Sequence, residues 1–562
     1  MVLANGDTLS QELTGTELQA DPGNSRRPAS ENRSGADTTQ ADQDQGVPRK
    51  KRATSHKDSL EYKWVKRDIK VGQHLRSEEN PPSSVDLSQR SPTEIFEYFF
   101  NNDLLDHIAY ESRRYAGSKG ERFVVSREEL KTAIGIMLLS GYHSVPARRM
   151  YWKRERDIGV ELIASAMSRD RFDEILRFLH FAHNQRLDKS DKLAKLRPIM
   201  DHLEGRFMAA FPVEQDLSFD ESMIAYFGRH GCKQFIRGKP VRFGFKARCL
   251  NSSKGYLIAF DVYQGATYRG RAEYEERFGK GGAALADALD RLPLHIRMIP
   301  LKLYFDNYFT SLPLIKHLTL CGYGATGTIR ENRLPKSCPA ATVKSMKALV
   351  RGSVSVCGDT SNGISVVRWK DNAAVTMASN MAGSEPLQTV KRWSSKEKKM
   401  VQVPQPHCVS EYNRKMGGTD IMDQNISAYR TNIRIKKWWW AIFSWMLDAA
   451  VQNTWLVYRI KDENASLLDV RRQICTTLLT RGQRDLSGAG TEGATGSPRL
   501  VATGASRSTI PDIRYDGMHH YVIPAESQRR CKRETCKSRP STACCKCNVA
   551  LCVKCFRPYH SK

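Results

Sequence analysis

The sequence predicts an α/β fold in which a mixed sheet is bracketed by helical segments and followed by a small Cys/His module. Three observations lead there. Residues 216–330 read as strands and helices in the order β-β-β-α-β-α-β. Helical periodicity governs the stretches on either side, from Pro92 and from Trp438. Seven of the 14 cysteines fall between Cys531 and Cys555.

Residues 1–90 are rich in Gln, Asp, Ser, Thr and Asn and poor in aromatics, so they bury too little surface to offset chain entropy and are expected to be disordered. Within them, Pro48-Arg49-Lys50-Lys51-Arg52 is a basic run of the kind read by nuclear import, which points to the nucleus. Met1–Gln45 is polar and has no apolar core of the secretory-signal type.

From Pro92 the pattern turns helical. Ile95, Phe96, Phe99, Phe100 and Leu104-Leu105 recur at helical spacing with Thr93 as a candidate cap, and Glu128–Leu139 and Arg171–His180 follow the same period. Residues 91–215 are therefore read as a helical region. Its basic stretch sets Arg148, Arg149, Lys153 and Arg154 around Tyr151 and Trp152, which suits phosphate contact and base stacking; the plainer reading places Trp152 in the core.

The core is assigned to 216–335, with its last part at 405–423. It starts with the Asp220 strand, Phe243–Leu250 and Gly255–Gln264, then a helix from Ala272 to Leu292. The Asp306 strand, a helix from Ser311 to Leu320 and a strand ending near Arg330 complete it. Three early strands, helix, strand is the order of an RNase H-like core. Asp220 follows the alternation of Leu217 and Phe219, and Asp306 closes the apolar run Ile299–Phe305, so both are expected at strand ends. Asp420 and Asp423 are three apart, so a helix opened by Gly417-Gly418 would put them on one face.

Such acids suit a hard cation. Magnesium is held by one or two carboxylates plus substrate phosphate oxygens, and two ions roughly 3.5–4 Å apart can clamp an in-line displacement. Singly, each aspartate is more often a cap or a solvated residue. Their combination points to Asp220, Asp306, Asp420 and Asp423 as ligands of two Mg2+ (or Mn2+) ions in phosphoryl transfer.

Between 336 and 404 the short β-like pieces Ser353–Cys357, Gly363–Trp369 and Ala373–Ala378 interrupt the core as a β-rich insertion. After Asp423 the chain is basic and aromatic, and Arg434, Lys436 and Lys437 stand where they could touch DNA phosphates. Residues 424–481 then read as helical and are expected to pack back on 91–215. The Gly/Ser/Thr/Ala-rich 482–512 stretch reads as a flexible linker.

Composition favours a polyanionic partner. The chain carries 88 Lys+Arg against 61 Asp+Glu, a formal charge of +27, with a pI near 9.6 and a mean hydropathy of −0.52. The cations are spread among aromatic-rich folded segments, so nucleic acid fits better than a membrane surface. The most apolar stretch, Trp438–Tyr458, contains Asp448, Gln452 and Asn453 and reads as an amphipathic core helix.

Residues 513–562 read as a zinc module. Cys531-x4-Cys536, Cys544-x2-Cys547 and Cys552-x2-Cys555, with His520 and His560, supply eight ligands, enough for two Zn2+ ions in a RING- or PHD-like cross-brace. The spacing leaves the pairing open and leaves Cys545 as an alternative to Cys544. A disulfide framework conflicts with an intracellular compartment, and a RING-type ubiquitin ligase would leave the aspartates unexplained.

Several motifs together carry a family resemblance. Ser218-Phe219-Asp220-Glu221, the Phe305–Leu312 block around Asp306, and Lys415–Gln424 resemble, in order, the three acidic blocks of the piggyBac transposase family. Tyr151-Trp152, Met167–Phe172, Leu196-Arg197-Pro198, Gly238-Lys239-Pro240, Gly324–Asn332 and the terminal Cys/His cluster extend the likeness. The resemblance implies a cut-and-paste DNA transposase with hairpin intermediates, seamless excision at TTAA targets, double-stranded transposon ends as partner, and a homodimer. It further implies that 91–215 serves dimerisation and DNA binding, that the terminal module reads DNA ends, and that His520 is preferred over His519. The alternative is a domesticated derivative that binds DNA or chromatin without cutting.

Overall fold

The computed structural model describes residues 61–75, 85–265, 270–488, 515, 520–525, 528–533, 535–547 and 549–561. They belong to two compact units, one ending at Gly490 and one starting at Thr491. The basic run Pro48–Arg52, residues 489–512 and His519 lie outside the described residues.

The first element departs from the expected disordered tail. Strand β1 (Trp64–Val65) pairs antiparallel with a strand at the far edge of the main sheet. Asp68 anchors the chain just after this strand, accepting from the Ser384 amide at 2.6 Å and the Ser384 hydroxyl at 2.7 Å. The aromatic segment around Trp64 is too short to change the composition of 90 residues, so the average hid it.

The helical region comprises α1 (Pro92–Phe99), α2 (Asn102–Gly117), α3 (Arg127–Leu139), α4 (Glu161–Ala166), α5 (Arg169–Phe178) and α6 (Arg197–Ala209). Polar caps set four of their starts. Ser91 with Glu94 and Ser126 with Glu129 form capping boxes, and Asn101 and Ser168 cap α2 and α5. Ser91, not Thr93, is thus the cap of α1; Thr93 is buried within its first turn.

Next come β2 (Asp216–Ala225), β3 (Lys233–Phe235), β4 (Phe243–Ser252), β5 (Leu257–Val262), α7 (Ala272–Arg291), α8 (Leu294–Arg297), β6 (Lys302–Phe305), α9 (Leu312–Leu320) and β7 (Gly324–Thr328). The expected order holds, with the short β3 and α8 added. Helix α7 is broken at Gly279, whose φ of 76° only glycine adopts readily. After α10 (Val343–Lys347) come β8 (Val354–Asp359), β9 (Ile364–Lys370), β10 (Ala374–Ser379), β11 (Gln388–Ser394) and β12 (Lys399–Gln405).

One mixed sheet runs β1-β8-β9-β10-β7-β6-β2-β4-β3, with β5 also on β4. Its centre is parallel, β2 to β6 to β7, and its flanks are antiparallel. The 336–404 segment therefore continues the core sheet through the β10–β7 pairing, and its β11–β12 hairpin forms a separate two-stranded sheet. Local pattern marked these strands but could not name their neighbour.

The unit closes with α11 (His407–Lys415), α12 (Gly418–Ala428), α13 (Trp440–Tyr458) and α14 (Leu467–Gly488). Helix α13 packs on α1, and α14 on α1, α3 and α4. Since α14 reaches Gly488, the expected linker begins as helix. Helix α13 is buried on nearly every side rather than amphipathic, because its polar residues replace water with fixed partners. Asn453 accepts from the Leu257 amide and donates to the Leu257 carbonyl, both at 2.9 Å. Arg471 of α14 donates to Asp448 at 3.0 Å, and the Thr431 hydroxyl donates to the same carboxylate at 2.8 Å.

The second unit is small: β13 (Val522–Pro524), β14 (Thr542–Cys544) and β15 (Val549–Ala550) form one antiparallel sheet, followed by α15 (Val553–His560). Among the described residues no helix is long and apolar enough to cross a membrane.

The Asp448–Arg471 pair is buried on both sides. Arg471→Met should therefore lower the unfolding free energy by about 3–5 kcal/mol, because it strands a buried carboxylate. Urea denaturation followed by tryptophan fluorescence checks this, and an unchanged midpoint would contradict it.

Candidate active site and terminal metal centre

Parallel pairing brings the first two acids together. The last pair in register is Phe219 of β2 opposite Phe305 of β6, and Asp220 and Asp306 are the residues that follow, Asp306 just past the end of its strand. Beneath them the Phe219 and Phe309 rings meet edge-on, 4.8 Å between centroids. Asp306 begins a tight turn: its Oδ1 accepts from the Tyr308 amide at 2.8 Å, and the Thr310 hydroxyl donates to its carbonyl at 2.8 Å. Ser311 then caps α9.

Helix α12 brings the other two acids. Its first residue lies so close to the sheet that a Cβ on Gly418 would stand 2.2 Å from the Ser252 carbonyl oxygen and 2.4 Å from Ser218 Oγ. Only glycine fits there. The Thr419 hydroxyl donates to Asn251 Oδ1 at 2.9 Å, and the Ser222 hydroxyl donates to Asp423 Oδ1 at 2.6 Å. Asp423 is thereby tied to a residue two along from Asp220. Asp420, one turn earlier on α12, keeps its side chain 46% exposed and faces Lys239 Nζ at 3.9 Å.

Burial dominates the electrostatics. It pushes the Asp220 carboxyl up to about 6, with Lys239 pulling down and Asp306 pushing further up. Burial also raises Asp423 to about 6 against the Ser222 hydrogen bond and Lys239, while Asp420 adds to the rise. Asp306 is raised by burial and by Glu221, against the Tyr308 hydrogen bond. Lys246 holds Glu221 at 2.7 Å. Lys239 offsets only part of this charge, and the donor set of the acids is entirely hard oxygen, which fits Mg2+ or Mn2+. Among the described residues no three of these carboxylates bring one oxygen each within 4.8 Å of one another.

The expected DNA-contact residues divide. Arg148 and Arg434 meet across the chain, Arg148 Nη1 donating to the Arg434 carbonyl at 3.5 Å, and with Arg149 they line one open cavity. Arg148 also pairs with Asp173 at 2.8 Å and Lys153 with Glu155 at 3.3 Å. Arg149, Lys153, Arg154, Arg434 and Lys436 are exposed. Lys437 is half-buried: its ammonium donates to the Leu176 and Arg177 carbonyls at the end of α5, at 3.0 and 2.7 Å, and burial lowers it to about 8. Trp152 packs within the fold, donating from Nε1 to the Met167 carbonyl at 2.7 Å and tilting against Phe172. Tyr151 is buried.

In the second unit the cysteines and histidines sort into two sets, His520, Cys544, Cys547 and His560, and Cys531, Cys536, Cys552 and Cys555; within each, the donor atoms lie within 4.8 Å of one another. The sets alternate along the chain, so each ligand pair is clamped between ligands of the other set. His560 Nδ1 lies 2.7 Å from the Phe556 carbonyl, which can only accept, so Nε2 is left for a metal. Thiolate and imidazole donors at this spacing could hold zinc. Cys545 is exposed and belongs to neither set.

A family profile described as Transposase IS4 matches residues 91–455. The chain is 38% identical over 506 residues to human PiggyBac transposable element-derived protein 3, covering 89% of this chain and 81% of that protein. The chain belongs to the piggyBac transposase family. Human PiggyBac transposable element-derived protein 2 is 37% identical over 503 residues, covering 88% of this chain and 81% of its own length. The chain also shares its fold with a solved piggyBac transposase, determined as a synaptic complex with hairpin DNA, at a TM-score of 0.59 and 20% identity. That match covers 83% of this chain and 97% of the other.

Two residues at the site of this piggyBac-family chain escaped sequence reasoning. Ser222 anchors Asp423, and Lys239 reaches the acids from a hairpin; the Gly238-Lys239-Pro240 motif marked the lysine without giving it a role at the acids, and only the alternation of β2 signals that Ser222 shares a sheet face with Asp220.

The raised acids fix a pH dependence. A carboxyl whose folded pKa exceeds its unfolded value of 3.8 binds its proton more tightly when folded, so stability falls as pH rises from about 4 to about 6. Without divalent ions, Asp220→Asn should be more stable than wild type at pH 7.5 by about 1–3 kcal/mol, the difference vanishing toward pH 4. Urea denaturation at a series of pH values measures it; a less stable variant at pH 7.5 would contradict the burial argument.

Proposed function

We propose that this chain is a cut-and-paste DNA transposase whose RNase H-like core performs metal-dependent strand cleavage and strand transfer at transposon ends. The observation that supports the reading is that the parallel β2–β6 pairing ends with Phe219 opposite Phe305, so that Asp220 and Asp306 are the next residue of each segment, with Asp423 tied to Ser222 of the same strand as Asp220. In this reading Asp220, Asp306, Asp420 and Asp423 hold two Mg2+ or Mn2+ ions. When bound, the ions lower the pKa of a nucleophilic oxygen and stabilise the leaving oxygen.

The chain's own residues supply position. The Asp306 turn and the Gly418 contact hold the carboxylates on rigid elements, and the cavity of Arg148, Arg149 and Arg434 offers cations to the phosphate backbone. The TTAA target, the hairpin intermediate, the homodimer and nuclear action come from the family and belong to the same proposal. The terminal unit, holding two zinc ions in a cross-brace, reads the DNA end. The second reading, a domesticated DNA-binding derivative, is favoured by the names of the human relatives, which are transposable element-derived proteins.

An excision reporter flanked by the element's own ends separates the two. Wild type should excise, and Asp220→Asn, Asp306→Asn and Asp420→Asn should each lower excision by about 10³-fold or more with DNA affinity kept within a few-fold. Wild-type binding without excision would favour the second reading. Affinity for the end should also fall by roughly 10³ between 50 and 200 mM salt, and a flat response would remove the phosphate contacts.

A further inference from the structure

The Gly238-Lys239-Pro240 triplet resembles the family but has no role in the proposed chemistry. It forms the tip of the β3–β4 hairpin, where Phe235 stands opposite Phe243 and the Ile236 amide donates to the Arg242 carbonyl at 3.0 Å. Gly238 takes a φ of 92°, which sharpens the turn. The segment Ser222–Leu250 carries seven Lys or Arg and no Asp or Glu. Several of these cations have their own acids, Lys246 with Glu221 at 2.7 Å and Arg248 with Asp261 at 3.3 Å.

Lys239 differs from them because it serves a cluster. Its ammonium donates to the Glu221 carbonyl at 3.1 Å, on the peptide next to Asp220, and stands 3.9 Å from Asp420 Oδ1. Asp220, Asp420, Asp423 and Glu221 all act on it electrostatically. The side chain is 27% exposed, so it has given up most of its water to stay there. A lysine at a hairpin tip would ordinarily keep its charged end in solvent. The net negative charge of three or four carboxylates is what makes the exchange favourable.

We infer that Lys239 is a tethered counter-cation of the acid cluster, balancing Asp420, Asp220 and Asp423 while no divalent ion is bound and competing with such an ion for the same carboxylates. It is a positioning residue, acting on the reaction through the acids. The inference rests on the proposed metal-binding role of these aspartates. It has a direction opposite to that of a simple supporting contact: removing Lys239 should improve ion binding, whereas loss of a structural prop would weaken it.

Isothermal titration of the full-length, zinc-loaded protein with Mg2+ tests this, using wild type, Lys239→Met, Lys239→Arg and Asp220→Asn. Lys239→Met should bind Mg2+ about tenfold more tightly than wild type, since one nearby positive charge no longer opposes the ion. Lys239→Arg, which keeps the charge, should stay close to wild type, and Asp220→Asn should lose the site. If Lys239→Met fails to fold, Lys239→Gln carries the same expectation. Asp220-dependent binding that neutralising Lys239 leaves unchanged or weakens would overturn this inference alone. Absence of any Asp220-dependent Mg2+ binding would overturn the metal reading and this inference with it.

Discussion

The first unit is organised around a single electrostatic constraint: a buried Asp220 and half-buried Asp306 and Asp423 stand at the same end of the sheet with only part of their charge offset by Lys239. Asp220 is 6% exposed, and Asp306 follows the last residue paired in register between β6 and β2. Folding does not arrive at such an arrangement for stability, since desolvated like charges raise the free energy of the native state. The surrounding structure must hold it. The parallel β2–β6–β7 centre sets the spacing of the first two acids, and α12, seated through Gly418 on the Ser252 carbonyl, sets the others. Behind them Tyr304 and Lys415 both bind Asp216, at 3.2 and 2.7 Å, which locks the entry of β2 to β6 and to α11.

The two candidate metal centres solve opposite problems. At the candidate active site the apolar sheet and helices supply their own core, and a bound ion would relieve charge. In the terminal unit the core is largely the ligands themselves, with Cys531, Cys544, Cys547 and Cys555 buried around Leu551. So few apolar side chains cannot offset the entropy of ordering the chain, and a bound metal would supply folding free energy outright. Hard oxygen donors in one place and soft sulfur in the other would favour different ions at the two sites.

Much of this was legible in the residues because the relevant patterns are local. The alternation before Asp220, the apolar run before Asp306 and the glycine pair before Asp420 each mark an element and its end, and the structure has β2, β6 and α12 there. Seven of the eight zinc-type ligands were legible from spacing and His520 over His519 from the family resemblance, but their pairing was not legible, since it depends on which loops the fold crosses. Long-range partners account for the rest. Nothing near Lys437 reveals that α5 ends beneath it, and nothing in 336–404 says that β10 will pair with β7. The Trp64 strand was lost to averaging, and the polar residues of α13 read as a solvated face because their partners, Leu257 and Arg471, lie far along the chain.

The central claim is that four acids from distant segments converge on divalent ions, and anomalous diffraction tests it most directly. Crystals of the chain bound to its DNA end and grown with Mn2+ should show two anomalous peaks roughly 3.5–4 Å apart, ligated by Asp220, Asp306, Asp420 and Asp423. Manganese bound only elsewhere, with these carboxylates left unligated beside the DNA, would contradict the account.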